Sequence, residues 1–193
     1  MNIPVVQERG GLILLNNVVI IPTGNEVLSG IVIDTNSPAI MQIILENYPT
    51  CEVTRLKPIK DSEKEIIEVI DRCVSNKYDL VIIIGGSGGG HRFESSLSED
   101  YTHTAMLKLL TSYNAVEIYG KNGHLWSKIV CSTKEPTKII NVPGPYVEAV
   151  SAVKALVACY KDGVEDNSTI CEKVSEAVIL NYSSNAGIKC VRI

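Results

Sequence analysis

The stretch Asp79-Leu-Val-Ile-Ile-Ile-Gly-Gly-Ser-Gly-Gly-Gly-His91 indicates the fold more directly than any other part of the chain. Its apolar, β-branched run is typical of a parallel strand buried on both faces. The five glycines that follow allow the backbone to turn sharply and to approach a ligand closely. Ligands of open α/β sheets bind at the carboxyl ends of the strands, so we expect a binding site here. Backbone N–H groups and the positive end of the next helix would favour an anion.

Two well-known phosphate-binding patterns do not fit this loop. Gly85 and Gly90 have the Walker separation, but His91 and Arg92 stand where that pattern has Lys and Ser or Thr. In the dinucleotide pattern His91 would occupy the third glycine position, and the loop does not follow the first strand. A structural turn alone needs one or two glycines, and each further glycine adds entropy to the unfolded chain. The loop therefore favours ligand binding.

Length and composition are those of an ordinary globular protein. A chain of 193 residues is one domain of usual size, which buries roughly 70% of its unfolded surface. With 45% hydrophobic and 21% charged residues and a net charge of -4, nothing suggests a nucleic-acid partner. No apolar run reaches the roughly 18 residues of a membrane helix. A charged partner is therefore expected to be a small molecule.

The six cysteines show no Cys-x-x-Cys pairing, and we expect no secretory leader before them. This usage predicts reduced thiols in a cytoplasmic protein, several of them packed as small apolar groups. They are Cys51, Cys73, Cys131, Cys159, Cys171 and Cys190.

Strands and helices alternate along the chain, which predicts parallel strands covered by helices on both faces. We predict a lead and a hairpin through Asn16-Asn17 in residues 1–17, a main domain over 18–162, and a helix and strand over 163–193 that pack on it. The predicted strands are 18–22, 51–56, 79–84, 115–119, 125–131 and 137–142, with a hairpin turn at Lys121-Asn122-Gly123 and an extended tail over 188–193. The predicted helices start at Ser37-Pro38 and at Asp61 and span 101–110, 146–160 and 169–180.

Several segments carry a resemblance to a known family, and they occur in that family's order over about residues 18 to 155. They are Thr23-Gly-Asn-Glu-Val-Leu-Ser-Gly30, Asp34-Thr-Asn-Ser37, the helix start at Asp61, Ile84-Gly-Gly-Ser-Gly88, Asp100-Tyr-Thr102 and Val142-Pro-Gly-Pro145. Together they resemble the molybdenum cofactor biosynthesis domain of molybdopterin adenylyltransferases and molybdotransferases. The resemblance implies an α/β fold, a three-layer α/β/α sandwich around a mostly parallel sheet, and a homo-oligomer, with a trimer favoured. The implied ligand is molybdopterin, a pterin dithiolene that carries a phosphate.

Three loops, at Thr23, Gly85 and Pro143, follow β-rich runs and should meet at one sheet edge. Glycine amides suit a terminal phosphate, and Asn36 or Asn141 offers both donor and acceptor to a pterin edge. The predicted ligand-binding residues are Thr23, Gly24, Glu26, Asp34, Asn36, Gly85, Gly86, Ser87, Gly88, Gly89, His91, Thr102, Pro143 and Gly144.

The reaction that the resemblance implies joins an adenylyl group from ATP to the molybdopterin phosphate, or later exchanges it as molybdate is inserted. Either reaction needs Mg²⁺ held by carboxylates, because phosphoryl-type transfer depends on positioning and charge neutralisation. Asp61 and Asp100 are the predicted catalytic residues and magnesium ligands. Each could instead be only a helix N-cap. Asp34 either caps the helix at Ser37 or lines the site, and Glu26 faces either pocket or solvent.

The position of Asp100 depends on the alignment, because His91-Arg-Phe-Glu-Ser-Ser-Leu-Ser-Glu99 separates it from the glycines. One alignment treats these residues as an insertion and keeps Asp100. The other places Phe93 at the acidic position and removes the carboxylate. We favour the insertion, because Asp100-Tyr-Thr102 leads directly into a predicted helix. His91 and Arg92 then form either a cationic pair above the phosphate or a solvated loop.

The remaining histidines, His103 and His124, lack metal-ligand spacing to each other and are predicted to serve surface or local hydrogen bonds. Two other functions stay open. One is a non-catalytic molybdopterin carrier or sensor, which the displaced Asp-x-Thr segment favours. The other is a scaffold domain of the same fold.

Overall fold

A computed structural model describes residues 11–86, 101–121, 123–182 and 188–193. The strands are β1 (Asn17–Pro22), β2 (Glu52–Arg55), β3 (Leu80–Ile84), β4 (Asn114–Tyr119), β5 (Leu125–Lys134), β6 (Thr137–Val142) and β7 (Lys189–Arg192). The helices are α1 (Asn25–Leu28), α2 (Asn36–Asn47), α3 (Glu63–Ser75), α4 (Tyr101–Leu109), α5 (Tyr146–Lys161) and α6 (Asn167–Ile179). Over these described residues, we find no helix with both the length and the apolar character needed to cross a membrane.

The strands form one seven-stranded sheet in the order β2-β1-β3-β6-β5-β4-β7. The first four of these are paired in parallel, and β5, β4 and β7 are added by antiparallel pairing. Only β5 and β7 therefore run against the others, so the predicted mostly parallel sheet is confirmed. The antiparallel half lies at the β7 end, where the predicted hairpin joins β4 to β5.

Alternating side chains of the strands divide the core into two layers. Val18 and Ile20 of β1 point to one face, where α2, α5 and α6 pack. Val19 and Ile21 point to the other face, which α3 and α4 cover. A strand has a side-chain period of two, so an unbroken apolar run has to be covered on both faces. The predicted three-layer α/β/α sandwich is confirmed.

The central strand β3 shows why the apolar run decides the fold. All five of its residues are buried, and each buried isoleucine contributes about 1.5–3 kcal/mol by leaving water. Two parallel neighbours, β1 and β6, hold it in register from Leu80 to Ile84. The glycines therefore leave the middle of the sheet rather than an edge strand.

One expectation about the start of the sheet needs correction. Asn17 begins β1 and residues 11–16 form no strand, so the predicted hairpin through Asn16-Asn17 is wrong. The Asp79 carboxylate instead accepts hydrogen bonds from the backbone N–H groups of Asn16 and Asn17, at 2.6 and 3.0 Å. The Asn16-Asn17 pair therefore does not form a hairpin turn but connects the start of β1 to the start of β3.

The cysteines are all free thiols, as predicted. Five are buried and only Cys190, on the edge strand β7, is exposed. Burial raises the pKa of the Cys73 thiol to about 11 and that of Cys171 to about 12. These thiols are protonated near neutral pH and pack as small apolar groups.

Candidate functional site

The loops after β1, β3 and β6 begin side by side at the carboxyl edge of the sheet. Pro22 is opposite Ile84, and Ile84 is opposite Val142, so the three strands end at the same level. The backbone N–H of Thr23 donates to the Ile84 carbonyl at 2.9 Å, and that of Gly85 donates to the Val142 carbonyl at 3.1 Å. The parallel register therefore brings Thr23, Gly85 and Pro143 together.

Gly85 packs directly against Thr23, so that a side chain at Gly85 would be crowded. It has a φ of +92°, and a Cβ atom there would lie 3.0 Å from Thr23 Oγ1 and 3.1 Å from the Thr23 carbonyl oxygen. The Thr23 hydroxyl cannot swing freely away, because it donates to the Ile84 carbonyl at 2.9 Å. Gly86 also has a positive φ, of 57°. The predicted ligand residues Ser87, Gly88, Gly89 and His91 lie outside the described residues.

The helix α4 brings Thr102 beneath this junction. The Thr102 hydroxyl lies 3.4 Å from the Thr23 hydroxyl. Thr102 is 0% exposed and Thr23 is 5% exposed. The contact joins the loop after β1 to the helix that follows the glycine loop. Asp100, two residues before Thr102, lies outside the described residues.

Asn36 connects the third loop to α2. The Asn36 side-chain amide donates to the Gly144 carbonyl at 2.6 Å, across 108 residues of sequence. A Cβ atom on Gly144 would lie 3.8 Å from the Gly85 Cα atom, so the Gly144 and Gly85 loops are in contact. Pro143 is buried, whereas Gly144 is exposed. The structure thus brings Thr23, Gly85, Gly144, Asn36 and Thr102 into one connected group.

Asp61 lies beside the loop after β1 and does not cap α3. The backbone N–H of Asn25 donates to Asp61 Oδ2 at 3.1 Å, and the cap of α3 is Ser62, whose hydroxyl accepts from the Glu65 N–H at 3.4 Å. Burial raises the pKa of Asp61, the Asn25 hydrogen bond opposes this, and the nearby Glu26 carboxylate raises it further. The N-cap interpretation of Asp61 is therefore wrong, and Asp61 and Glu26 are two neighbouring carboxylates.

Glu26 is exposed and folds back over Gly24. Gly24 has a φ of +132°, and a Cβ atom there would lie 3.0 Å from Glu26 Oε1. The carboxylate therefore lies over the start of the loop after β1, while the residue remains open to solvent.

Asp34 has a structural role. Its carboxylate accepts from the Ser37 N–H at 2.9 Å in the first turn of α2, and it forms an ion pair with Arg55 at 2.9 Å. Burial alone would raise the pKa of Asp34, but the bonds from Ser37 and Arg55 outweigh burial and lower that pKa. The N-cap residue of α2 is Thr35. Asp34, with 8% of its side chain exposed, satisfies an N–H group of the first turn, which favours the helix-start interpretation over a place in the site.

Asn141 is not available to a ligand, contrary to one sequence-based suggestion. It is fully buried, its Oδ1 accepts from the Val130 N–H at 2.6 Å, and its Nδ2 donates to the Lys128 carbonyl at 2.8 Å. The side chain thus replaces backbone pairing between β5 and β6. Of the two asparagines suggested for a pterin edge, only Asn36, the first residue of α2, contacts a loop of the site.

His103 is buried, so the surface alternative of its two predicted roles is wrong, whereas a role in local interactions remains. It is 8% exposed, and burial together with the Lys128 charge lowers its pKa to about 4, against an opposing effect of Glu117. Lys128 Nζ lies 3.0 Å from Glu117 Oε1, and the Tyr119 hydroxyl donates to Glu117 Oε2 at 2.5 Å. We call His103, Glu117, Tyr119 and Lys128 the charged cluster. Sequence reasoning missed it, although Glu117 and Lys128 stand at inward-facing positions of their strands.

The carboxylates that are described fit Mg²⁺ only in part. Within 11–86, 101–121, 123–182 and 188–193, no three His, Cys, Asp or Glu side chains are grouped to hold a metal ion. Magnesium, however, is often held by one or two carboxylates together with substrate phosphates. Asp61 and Glu26 could supply such carboxylates, since the Glu26 charge lies near enough to raise the pKa of Asp61.

A cavity at the opposite, amino edge of the sheet is a poor place for an anion. It has a volume of about 410 Å³, and its lining includes Asp79, Glu135, Glu165 and Lys138. The Lys138 ammonium donates to the Glu165 carbonyl at 2.8 Å and to the Asn167 side chain at 2.6 Å. The three carboxylates of this cavity would repel an anion, and its one lysine already has hydrogen-bond partners. An anion is therefore expected to bind at the carboxyl edge instead.

Solved structures of the same fold come from several microorganisms. The protein CinA with unknown function from Thermoplasma acidophilum has 18% identity and a TM-score of 0.56, over 76% of this chain and 98% of that one. A molybdopterin biosynthesis protein from Mycobacterium abscessus has 16% identity and a TM-score of 0.52, over 86% and 99%. The molybdopterin biosynthesis enzyme MoaB from Thermus thermophilus has 19% identity and a TM-score of 0.51, over 86% and 96%. At these identities the likeness concerns the fold alone.

The family comparison covers the sheet edge and all three of its loops. Comparison with curated proteins found no match. The family profile described as a probable molybdopterin binding domain matches residues 19–161, which is well over half of the chain. This range contains β3, β6 and all but the first two residues of β1, with the loops that follow these strands. The chain therefore belongs to the family of probable molybdopterin binding domains.

Proposed function

We propose that the protein binds molybdopterin at the carboxyl edge and transfers an adenylyl group from ATP to its phosphate, or acts in a later molybdate insertion step. The observation that carries the proposal is the Gly85–Thr23 junction, where the backbone of the glycine loop, at a positive φ, packs closely against the loop after β1. Family membership and the molybdopterin biosynthesis proteins of the same fold support it.

In this proposal each group of residues has a distinct task. Amides of the glycine loop bind the terminal phosphate, and the Asn36–Gly144 bond holds the third loop against them. A phosphate oxygen of molybdopterin attacks the α-phosphorus of ATP, and the bond to the leaving pyrophosphate breaks. Asp61, with Glu26 or Asp100, would hold Mg²⁺, which neutralises charge on the phosphates. We expect the protein to act as a cytoplasmic homo-oligomer, with a trimer favoured.

The second candidate is a carrier or sensor that binds molybdopterin without turnover. It is favoured by the incomplete set of carboxylates, since the described residues place only Asp61 and Glu26 beside the loops. Turnover of ATP with Mg²⁺ and molybdopterin distinguishes the two. An enzyme forms pyrophosphate and adenylylated molybdopterin, whereas a carrier forms neither while retaining affinity.

We expect Asp100→Asn to abolish this turnover without unfolding the protein, and unchanged activity would remove Asp100 from the catalytic set.

Ligand binding should be visible as a change in thermal stability. At ligand concentrations 100 times the dissociation constant, linkage adds about 2.7 kcal/mol, which corresponds to a rise in Tm of roughly 5–10 °C for a chain of this length. Differential scanning fluorimetry with molybdopterin, ATP and AMP, each tested separately under anaerobic conditions, measures the shift. If none of the three raised the Tm, the proposed site would be wrong.

Asn36 offers a test of the third loop. In Asn36→Asp a carboxylate oxygen faces the Gly144 carbonyl, so the hydrogen bond becomes a repulsion. We expect the affinity for molybdopterin to fall about 10-fold, since a hydrogen bond is worth about 1 kcal/mol and the repulsion adds to its loss. Titration calorimetry measures this.

The matched control is Asn47→Asp, at the other end of the same helix. The Asn47 amide donates to the Ile43 carbonyl at 2.7 Å and contacts none of the three loops. This variant should keep the wild-type affinity. Equal affinity in Asn36→Asp would mean that the Asn36–Gly144 bond does not shape the site.

A further inference from the structure

The charged cluster lies at the same level of the sheet as the three loops. β4 runs in the direction of β6, so Glu117 and Tyr119 approach the carboxyl edge, and β5 begins there. Lys128 is linked to β6 through its carbonyl, which accepts from Asn141 two residues before Pro143. The cluster therefore borders the third loop.

Burial makes the Lys128–Glu117 ion pair costly. The two side chains are 11% and 15% exposed, and they share a sheet face with the apolar residues Ala115, Val130 and Ile139. Removing two charges from water costs several kcal/mol per ion, and apolar replacement of buried ion pairs is often neutral or stabilising. Stability alone does not explain a charged pair in this layer.

His103 connects the pair to α4. The helix α4 packs against β5, the strand that carries Lys128, and His103 is buried in this layer. Both charges also act on its imidazole, Lys128 by lowering its pKa and Glu117 by raising it. The preceding residue, Thr102, meets Thr23 at 3.4 Å beneath the glycine loop. The side chains of Thr102 and His103 are both buried in the first turn of α4. Thr102 lies against the site, and His103 lies on the side of the charged cluster.

We propose that Lys128 and Glu117 are positioning residues, whose ion pair seats the first turn of α4 through His103 and so holds Thr102 under Thr23. This inference rests on the proposed ligand site, because it assigns the cluster a task within that site. It predicts that an apolar replacement of the pair keeps the fold but loosens the first turn of α4.

The test uses the double variant Lys128→Met with Glu117→Leu, in the full chain. We expect an unchanged or higher Tm, together with amide hydrogen exchange at Ala105 and Met106 that is on the order of 10-fold faster. In a helix these two amides bond to the carbonyls of Tyr101 and Thr102, so they report the first turn. Affinity for molybdopterin should fall by about the same factor, because the loop loses its support. The single variant Lys128→Arg, which keeps the positive charge opposite Glu117, should exchange as slowly as the wild-type protein.

The control pair is Lys134→Met with Asp71→Leu. This pair also joins β5 to a helix of the same face, with 2.6 Å between the charges, but it is 39% and 48% exposed. Its replacement should leave exchange at Ala105 and Met106 unchanged. If the cluster variant does not fold, Glu117→Gln keeps the side-chain shape, and faster exchange confined to the first turn of α4 is expected there.

Two results would overturn the inference. One is unchanged exchange at Ala105 and Met106 in the cluster variant. The other is a lower Tm with faster exchange throughout the core, which would make the pair a structural contact only. Failure of the wild-type protein to bind molybdopterin would instead contradict the proposed function, and the exchange measurement would still decide the positioning role.

Discussion

Replacement of Gly85 by alanine will lower the affinity for molybdopterin about 100-fold and reduce the Tm by roughly 3–8 °C. The backbone at +92° is strained for any L side chain, which costs about 1–2 kcal/mol, and the new Cβ atom would press on Thr23 at 3.0 Å. Thr23 has to shift, and with it the hydroxyl contact to Thr102. Titration calorimetry and thermal unfolding measure the two effects.

Gly123→Ala separates strain from contact. Gly123 also has a positive φ, of 77°, but nothing lies within 4 Å of a Cβ atom there. This variant should lose stability for the same conformational reason while it keeps the wild-type affinity. Wild-type affinity in Gly85→Ala, or an equal loss in both variants, would show that the Gly85–Thr23 junction does not form the site.

Asp61→Asn will reduce turnover at least about 100-fold without lowering the Tm. Asparagine keeps an acceptor for the Asn25 N–H at 3.1 Å but removes the charge that would hold Mg²⁺. Burial and Glu26 raise the pKa of Asp61 in the folded protein. The stabilising effect of such a group is present below its unfolded pKa and is lost as the pH rises through the folded pKa. At pH 7 the charge therefore opposes folding, so its removal should leave the Tm equal or slightly higher.

Asp71→Asn is the control for this prediction, because Asp71 is a carboxylate of the neighbouring helix α3 that pairs only with Lys134 among the described residues. It should keep full turnover. A coupled assay for pyrophosphate, with Mg²⁺ and then with excess chelator, measures both variants. Full turnover in Asp61→Asn would remove this residue from the catalytic set, and magnesium-independent turnover would exclude its role as a metal ligand.

The fold was predictable because its signals are local. The run before the glycines could only be a strand buried on both faces, and all five residues of β3 are buried. The convergence of the three loops follows from the parallel direction of β1, β3 and β6 alone. Helix spacing similarly predicted α5 to within one residue at its end.

The roles of individual polar residues depend on partners that are distant in sequence. Ser62 rather than Asp61 caps α3, although both precede the same helix and both are good N-caps. The Asn141 side chain connects β6 to β5, because it accepts a hydrogen bond from the Val130 N–H and donates one to the Lys128 carbonyl. No spacing rule distinguishes such a bridge from a ligand-binding amide.

The charged cluster illustrates the same limit. Glu117 and Lys128 lie eleven residues apart across a hairpin, and each alone reads as a solvent-facing residue of a half-exposed strand. Their burial depends on α4, which begins at Tyr101 after the glycine loop and covers this face. Only the packed structure shows that α4 brings the buried His103 against β5, the strand that carries Lys128.

A crystal structure of the protein with bound molybdopterin tests the proposed site most directly. We predict that the terminal phosphate accepts hydrogen bonds from backbone N–H groups of the loop that begins at Gly85, with the pterin near Asn36. A phosphate bound at the opposite edge, in the cavity beside Asp79 and Lys138, would contradict this assignment.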